Sequence, residues 1–398
     1  MLIPHSEAEA ADLVRAAAQN RQTLEIVGTG SKSGLGNIVE TEAVLSTTGL
    51  TGIVSYNPAE MVMTARAGTP LAEIEAALAE NRHMLAFEPP RLNGIYGSEG
   101  QGTIGGLFAC NLSGPRRIQA GAARDHLLGV RFVNGFGEIV SAGGRVMKNV
   151  TGLDLVKLMA GSHGTLGLMT ELTFKVLPVP ETSASVVLSG LDEEEASWAM
   201  AQAFSRSWEV SGAAHLPESC KGRFHDGRLP DGAATLLRIE GLGFSVEERL
   251  QRMRTELTGA RLAELGHEES VALWREVRDV RPFHADGRAR PLWKVSVAPS
   301  AGHQLLSALR MQTGVDGYFD WQGGLLWLRM EADAEAELLR GMIQQLGGGH
   351  ATLMRGTDAE RKTIPVFHPE APAIAALTGR IRQKFDPAGI FNPGRMGQ

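Results

Sequence analysis

Leu24-Glu-Ile-Val-Gly-Thr-Gly-Ser-Lys-Ser-Gly34 reads as a short buried strand that runs directly into a glycine-rich turn. Two further glycine loops follow, Gly102-Thr-Ile-Gly-Gly106 and Gly161-Ser-His-Gly-Thr-Leu-Gly167. They lie in or near a segment, 94–167, that holds 17 of the chain's 48 glycines. That segment also carries Leu, Ile, Val and Phe throughout and has no Gly-X-Y period, which excludes collagen and a disordered linker. Folded backbone this rich in glycine adopts positive φ or lies close against something.

In the first loop, successive N–H groups with the hydroxyls of Thr29, Ser31 and Ser33 would make an anion-binding nest; a plain strand-end turn would read the same way. A P-loop would need glycine where Ser31 stands, and the dinucleotide fingerprint would need it where Ser33 stands. In the second loop, two adjacent glycines at a helix start would let a phosphate reach exposed N–H groups. Three such loops in one mixed unit point to a long phosphate-bearing cofactor.

Around the loops, Ser6 with Glu9 predicts a capped helix to about Gln19, with Leu13, Val14 and Ala17 inward. Short strands are expected near 43–46, 52–56 and 61–67. Thr69-Pro70 then predicts a capped helix to about Asn81. Asn134-Gly135 predicts a hairpin, and alternation over 168–176 predicts a half-buried strand. Beyond Pro180, strands near 185–188, 234–240, 292–297 and 325–330 interleave with helices, two of them with caps at Asp192/Glu195 and Ser245/Glu248. This predicts an antiparallel sheet with helices on one face. Tyr318, Phe319, Trp321, Leu325 and Trp327 read as an aromatic hairpin in a sheet core, with a flavin lid or partner interface as the second reading. The expected organisation is a domain at 1–180, a second at 181–368, and a C-terminal segment, 369–398, that begins with a helix.

The 398 residues carry a formal charge of −6 and 2 cysteines. This balance argues against nucleic-acid binding and against a disulfide framework. Met1–Glu7 has no secretory pattern and no apolar run reaches membrane-spanning length, so a cytoplasmic chain is expected, with at most peripheral membrane attachment through a partner.

Residues 1–180 resemble the FAD-binding domain of the flavoprotein family that includes vanillyl-alcohol oxidase, plant cytokinin dehydrogenase and D-lactate dehydrogenase. The matching order is strand, Gly-Thr-Gly-Ser loop, Thr64-Ala-Arg-Ala-Gly68, Gly-Thr-Ile-Gly-Gly, Gly-Thr-Leu-Gly and Asn392-Pro-Gly-Arg395. Phe87-Glu-Pro-Pro90, Leu112-Ser-Gly-Pro-Arg-Arg117 and Val146-Met-Lys-Asn-Val150 are similar, more closely, to the FAD-binding subunits of bacterial glycolate oxidase. The resemblance implies an α+β fold: a PCMH-type FAD-binding domain of two subdomains plus an α+β cap with an antiparallel sheet.

It also implies roles. Gly28, Thr29, Gly30, Ser31, Lys32 and Ser33 would hold the diphosphate from one side, and Gly102, Thr103, Gly105 and Gly106 from the other. Asn111, Ser113 and Gly114 would approach the flavin; Gly164, Gly167 and Met169 the adenine end; Asn392 and Arg395 would return the C-terminus to the flavin, where a cation or amide would stabilise charge developing on reduction. The first loop lacks the histidine that covalent members use, and Cys110 reads as a small packed residue, so FAD is expected to be non-covalent.

The His-x-Gly-Asp-Gly-Asn metal motif of many D-2-hydroxy-acid dehydrogenases is absent, and no metal is expected. His350 is the remaining candidate for catalysis, a surface turn into a strand being its plainer reading. Arg281, Arg288 and Arg290 would suit a carboxylate or simply a solvated loop. The implied function is the FAD-binding subunit of a glycolate oxidase or dehydrogenase complex, beside a homologous FAD subunit and an iron–sulfur subunit, acting on glycolate or a similar small 2-hydroxy acid. A non-catalytic FAD-bearing scaffold subunit and a stand-alone hydroxy-acid or alcohol oxidase are the alternatives.

Overall fold

The computed structural model describes residues 1–144, 153–257, 261–284 and 290–397. Val146–Val150 and Arg288 lie outside the described residues. The first strand, Leu24–Val27, pairs in parallel with Ala43–Ser46. Helix Glu7–Asn20 packs on this pair through Ala10, Val14 and Ala17, joined by Ile390 and Phe391 of the C-terminal segment. Ser6 caps the helix by accepting the N–H of Glu9.

A five-stranded antiparallel sheet follows, in the order Ile53–Asn57, Val62–Arg66, Leu168–Lys175, Leu127–Val133, Ile139–Gly143. Leu168–Lys175 is its central strand and is buried on both faces rather than one, because Met169 and Thr173 are covered as well as Leu172 and Phe174. The hairpin at 134–138 forms as expected, held by Asn134 Oδ1 accepting from the N–H groups of Phe136 and Glu138. Thr69 does not cap helix Leu71–Ala79; its hydroxyl is committed to Gly52 and Arg66, and Pro70 opens the helix.

The eight-stranded sheet runs Arg261–Leu265, Thr182–Ser189, Ala234–Gly241, Gly212–Leu216, Val315–Asp320, Leu325–Met330, Leu292–Ser296, His350–Arg355. Every pairing is antiparallel. Leu325 and Trp327 face the core shared with the N-terminal half, while Leu326, Leu328 and Met330 face helices Gly302–Arg310 and Ala336–Gln345. Helix His267–Arg278 packs Leu273, Trp274 and Val277 into the shared core, so both faces of the sheet are covered, not one. Double burial explains the near-continuous apolar runs of these strands. The Asp192/Glu195 capping box forms, whereas Ser245 lies inside helix Gly243–Glu256.

Candidate functional site

A cleft of about 790 Å³ opens between the loop after Leu24–Val27, helix Ile104–Cys110, the 161–167 loop and the C-terminal segment. Gly28 through Ser33 line it, with Thr103, Gly105, Gly106, Gly164, Gly167, Met169, Asn392 and Arg395. Gly102, Asn111, Ser113, Gly114 and His350 are not among its lining residues.

The two glycine loops that meet here differ in their donors. Among the described residues the N–H groups of Thr29, Gly30, Ser31 and Lys32 have no protein partner, nor do the hydroxyls of Thr29, Ser31 and Ser33. Gly30 takes φ +74° with open space where a Cβ would stand. Successive amides left free in this way are what an anion-binding nest requires. In the 102–106 loop three amides are committed, Ile104 N–H to Thr69 O at 3.0 Å, Gly105 N–H to Ala67 O at 2.8 Å and Gly106 N–H to Thr103 Oγ1 at 3.2 Å, whereas those of Gly102 and Thr103 have no protein partner among the described residues. The two adjacent glycines at the helix start therefore offer no free N–H, contrary to expectation. Gly105 serves packing instead, since a Cβ there would lie 2.7 Å from that of Ala67.

Lys32 supplies the cation. Its ammonium makes no hydrogen bond or ion pair among the described residues, and a Cβ on Gly102 would come within 2.7 Å of Nζ. Burial pulls this lysine below its ordinary range, with Arg91 adding to the effect. A half-buried ammonium without a carboxylate is suited to an anionic ligand.

The C-terminal residues act as braces. Asn392 Oδ1 accepts from Ile26 N–H at 2.8 Å, and its Nδ2 donates to His163 O at 2.7 Å. Arg395 donates to the carbonyls of Ser33, Leu35 and Asn37 and pairs with Glu25 at 2.5 Å. The guanidinium is thus occupied in shaping the first loop. His163, in the left-handed region, packs its ring 4.9 Å from that of Phe367, and burial lowers it to about 4, so it is neutral. Cys110 lines the cleft rather than packing away from it; burial pushes its thiol up.

Asn111, Ser113 and Gly114 hold the loop after the helix. Asn111 Oδ1 accepts from Arg124 N–H, Ser113 Oγ from Ala123 N–H, and Gly114 donates to Phe87 O, at 2.9, 2.9 and 2.8 Å. The Gly114 carbonyl accepts the Trp321 indole N–H at 3.0 Å, which ties this loop to the eight-stranded sheet.

Around Trp321 lies a group that sequence reading missed. Arg117 Cζ, exposed at the start of helix Arg117–Ala120, stands 4.3 Å from the indole ring, and Lys294 Nζ, from strand Leu292–Ser296, stands 5.2 Å from it. Neither is paired with a carboxylate among the described residues. Burial lowers Lys294 to about 8. Asp320, buried beside them, accepts Trp321 N–H at 2.7 Å, and burial raises its carboxyl to about 7. Lys294 is a lone charge in the apolar strand Leu292–Ser296, the one sequence signal available for it.

Lys294 sits opposite Thr352, and Ser296 opposite His350, so His350 ends the same row of the sheet. It is exposed there, with its ring 5.9 Å from that of His368. Among the described residues no group of three or more His, Cys, Asp and Glu is arranged to hold a metal. None of the helices among them is long and apolar enough to cross a membrane.

Residues 1–143 match a family model described as an FAD binding domain. The chain is 36% identical over 384 residues to the glycolate oxidase subunit GlcE of Escherichia coli, covering 96% of this chain and 95% of that one. A shorter stretch of 85 residues, 21% of this chain and 18% of the relative, is 41% identical to the glycolate oxidase subunit GlcD of Bacillus subtilis. Among solved structures, substrate-bound p-cresol methylhydroxylase superposes with a TM-score of 0.73 at 13% identity, over 99% of this chain and 88% of that one. That likeness bears on the fold, and it agrees with the PCMH-type architecture.

Proposed function

This chain belongs to the FAD-binding family of the glycolate oxidase subunit GlcE, and from that premise we propose that it is the FAD-bearing subunit of an assembly that oxidises glycolate or a similarly small 2-hydroxy acid to the 2-oxo acid. In this reading residues 1–180 form the FAD-binding domain, 181–368 the substrate-side domain, and 369–398 the segment that returns to the cofactor. The residues present fit FAD: a nest of free amides, an unpaired half-buried lysine, and glycines where side chains would fill the cleft. The 29–32 amides and Lys32 would hold its diphosphate, non-covalently.

The observation that carries the substrate class is the pair of cations, Arg117 and Lys294, flanking Trp321 without a carboxylate partner. They would bind the carboxylate of the acid and orient its hydroxyl-bearing carbon. FAD, when bound, supplies the hydride acceptor and passes electrons to a partner. Asp320, ionised above about pH 7, would take the hydroxyl proton. The chain would work beside a second FAD-bearing subunit and an iron–sulfur subunit.

The experiment is anaerobic mixing of the FAD-loaded chain with glycolate while the visible flavin band is followed. Bleaching whose rate rises with pH through about 7, and which loses that rise in Asp320→Asn, is expected. Absence of bleaching by the isolated chain, with turnover only once partner subunits are added, would favour the second reading, a non-catalytic FAD-bearing scaffold. The missing His-x-Gly-Asp-Gly-Asn motif is what keeps that reading in play.

A further inference from the structure

Glu88, in the Phe87-Glu-Pro-Pro90 segment, takes φ +48°, a backbone region uncommon for a non-glycine residue. Its carboxylate accepts from Arg116 N–H at 2.8 Å and receives both arms of Arg238, each at 2.9 Å. Arg116 in turn reaches Glu240 at 2.9 Å, and Glu240 also takes the Ser211 hydroxyl. The four charged side chains are 3–16% exposed. Glu88 and Arg116 come from the N-terminal half; Arg238 and Glu240 come from strand Ala234–Gly241 of the eight-stranded sheet. Arg238 lies 4.7 Å from the Trp274 ring, which fixes the plane of its fork.

A buried cluster of this kind is weak evidence for stability, since its attraction is offset by the loss of water around four charges. Its directional, bidentate geometry instead fixes how two surfaces register. The residue after Arg116 is Arg117, and Gly114, at the start of the same strap, is held by Phe87 O on one side and by Trp321 on the other. The strap that presents Arg117 is therefore positioned by Glu88, while Lys294 is carried by the sheet.

We propose that Glu88 is a positioning residue that holds Arg117 at Trp321, where Lys294 also stands, so that the carboxylate site forms only when the two halves are pinned in this register. The inference rests on the reading of those cations as the carboxylate-binding pair. It makes no demand on the FAD diphosphate cradle, which is built from other segments.

The test uses the full-length, FAD-loaded chain and oxalate, a dicarboxylate with no hydroxyl to oxidise, whose binding is read from perturbation of the oxidised flavin spectrum. FAD affinity is measured in parallel by equilibrium dialysis. Glu88→Gln is expected to weaken oxalate about tenfold or more, as small misplacements in such sites do, with FAD affinity unchanged. Lys294→Met is expected to weaken oxalate at least as much. If Glu88→Gln binds oxalate normally while Lys294→Met does not, the positioning inference is overturned and the cation reading stands. Normal binding by Lys294→Met overturns both. Should Glu88→Gln fail to fold, the Glu88→Gln/Arg238→Met double variant leaves neither charge unpaired and is judged by the same two outcomes.

Discussion

Two glycine loops face one another across the cleft, and their glycines do different work. In 28–33 the chain leaves four successive amides and a lysine without protein partners, and Gly30 has nothing near the place of its missing side chain. In 102–106 the helix-start amides of Ile104, Gly105 and Gly106 are satisfied within the protein, and Gly105 lies against Ala67. The first loop is shaped for a ligand. The second is shaped so that a helix can come close to a strand and leave the cleft open. Similar strings of glycine, quoted side by side, conceal that difference because a letter G does not say what its backbone bonds to.

Substitutions separate the two roles. The largest effect is expected for Gly105→Val, whose side chain must overlap Ala67; overpacking costs about 3 kcal/mol here, so thermal unfolding of the FAD-free chain should shift down by many degrees. A Gly105→Val chain as stable as the parent that merely fails to retain FAD would reassign that loop to the cofactor. Next, Lys32→Met should fold normally yet bind FAD about 2 kcal/mol more weakly, roughly thirtyfold, the worth of a charge-assisted contact. Because burial already holds this lysine below its usual range, FAD affinity of the parent should fall as pH rises into the alkaline range and Lys32 loses its proton. Lys32→Met should show no such fall, a comparison that isothermal titration at several pH values would make directly.

Gly30→Ala is a smaller perturbation. The space is open but φ is +74°, and a left-handed alanine costs about 1 kcal/mol. The expected readout is a slightly lower unfolding midpoint with weaker FAD binding, as the nest relaxes. Gly106→Ala should be the mildest for the fold: its Cβ would meet only Thr103 Oγ1, at 3.4 Å, and helix propensity favours alanine by up to about 1 kcal/mol. Unfolding of the FAD-free chain should be unchanged or slightly later. A marked destabilisation would break the distinction drawn between Gly105 and Gly106.

Much of the fold was legible locally. Ser6 and Asp192 announced their helices because a cap is a contact between residues three apart, and the order of strand, glycine loop and alternating strand carried the family resemblance. Gly212-Ala-Ala-His-Leu216 did not read as a strand, since small residues have little β preference of their own. Its neighbours on both sides dictate it: it is paired between Ala234–Gly241 and Val315–Asp320, and Trp274 occupies the space beside Gly212. Thr69 looked like a cap and instead tethers Gly52, a partner seventeen residues earlier.

The sequence by itself determined where backbone must be bare and which segments alternate, and its glycine loops carried the expectation of a phosphate-bearing cofactor, because those properties live in side-chain size and short-range spacing. Only the tertiary structure decided which amides remain free, that Asn392 and Arg395 brace the first loop, and that Arg117, Lys294, Asp320 and Glu88 gather around one strap. Those facts depend on partners tens to hundreds of residues away, and hydrogen bonding and charge pairing are settled by who arrives at the contact.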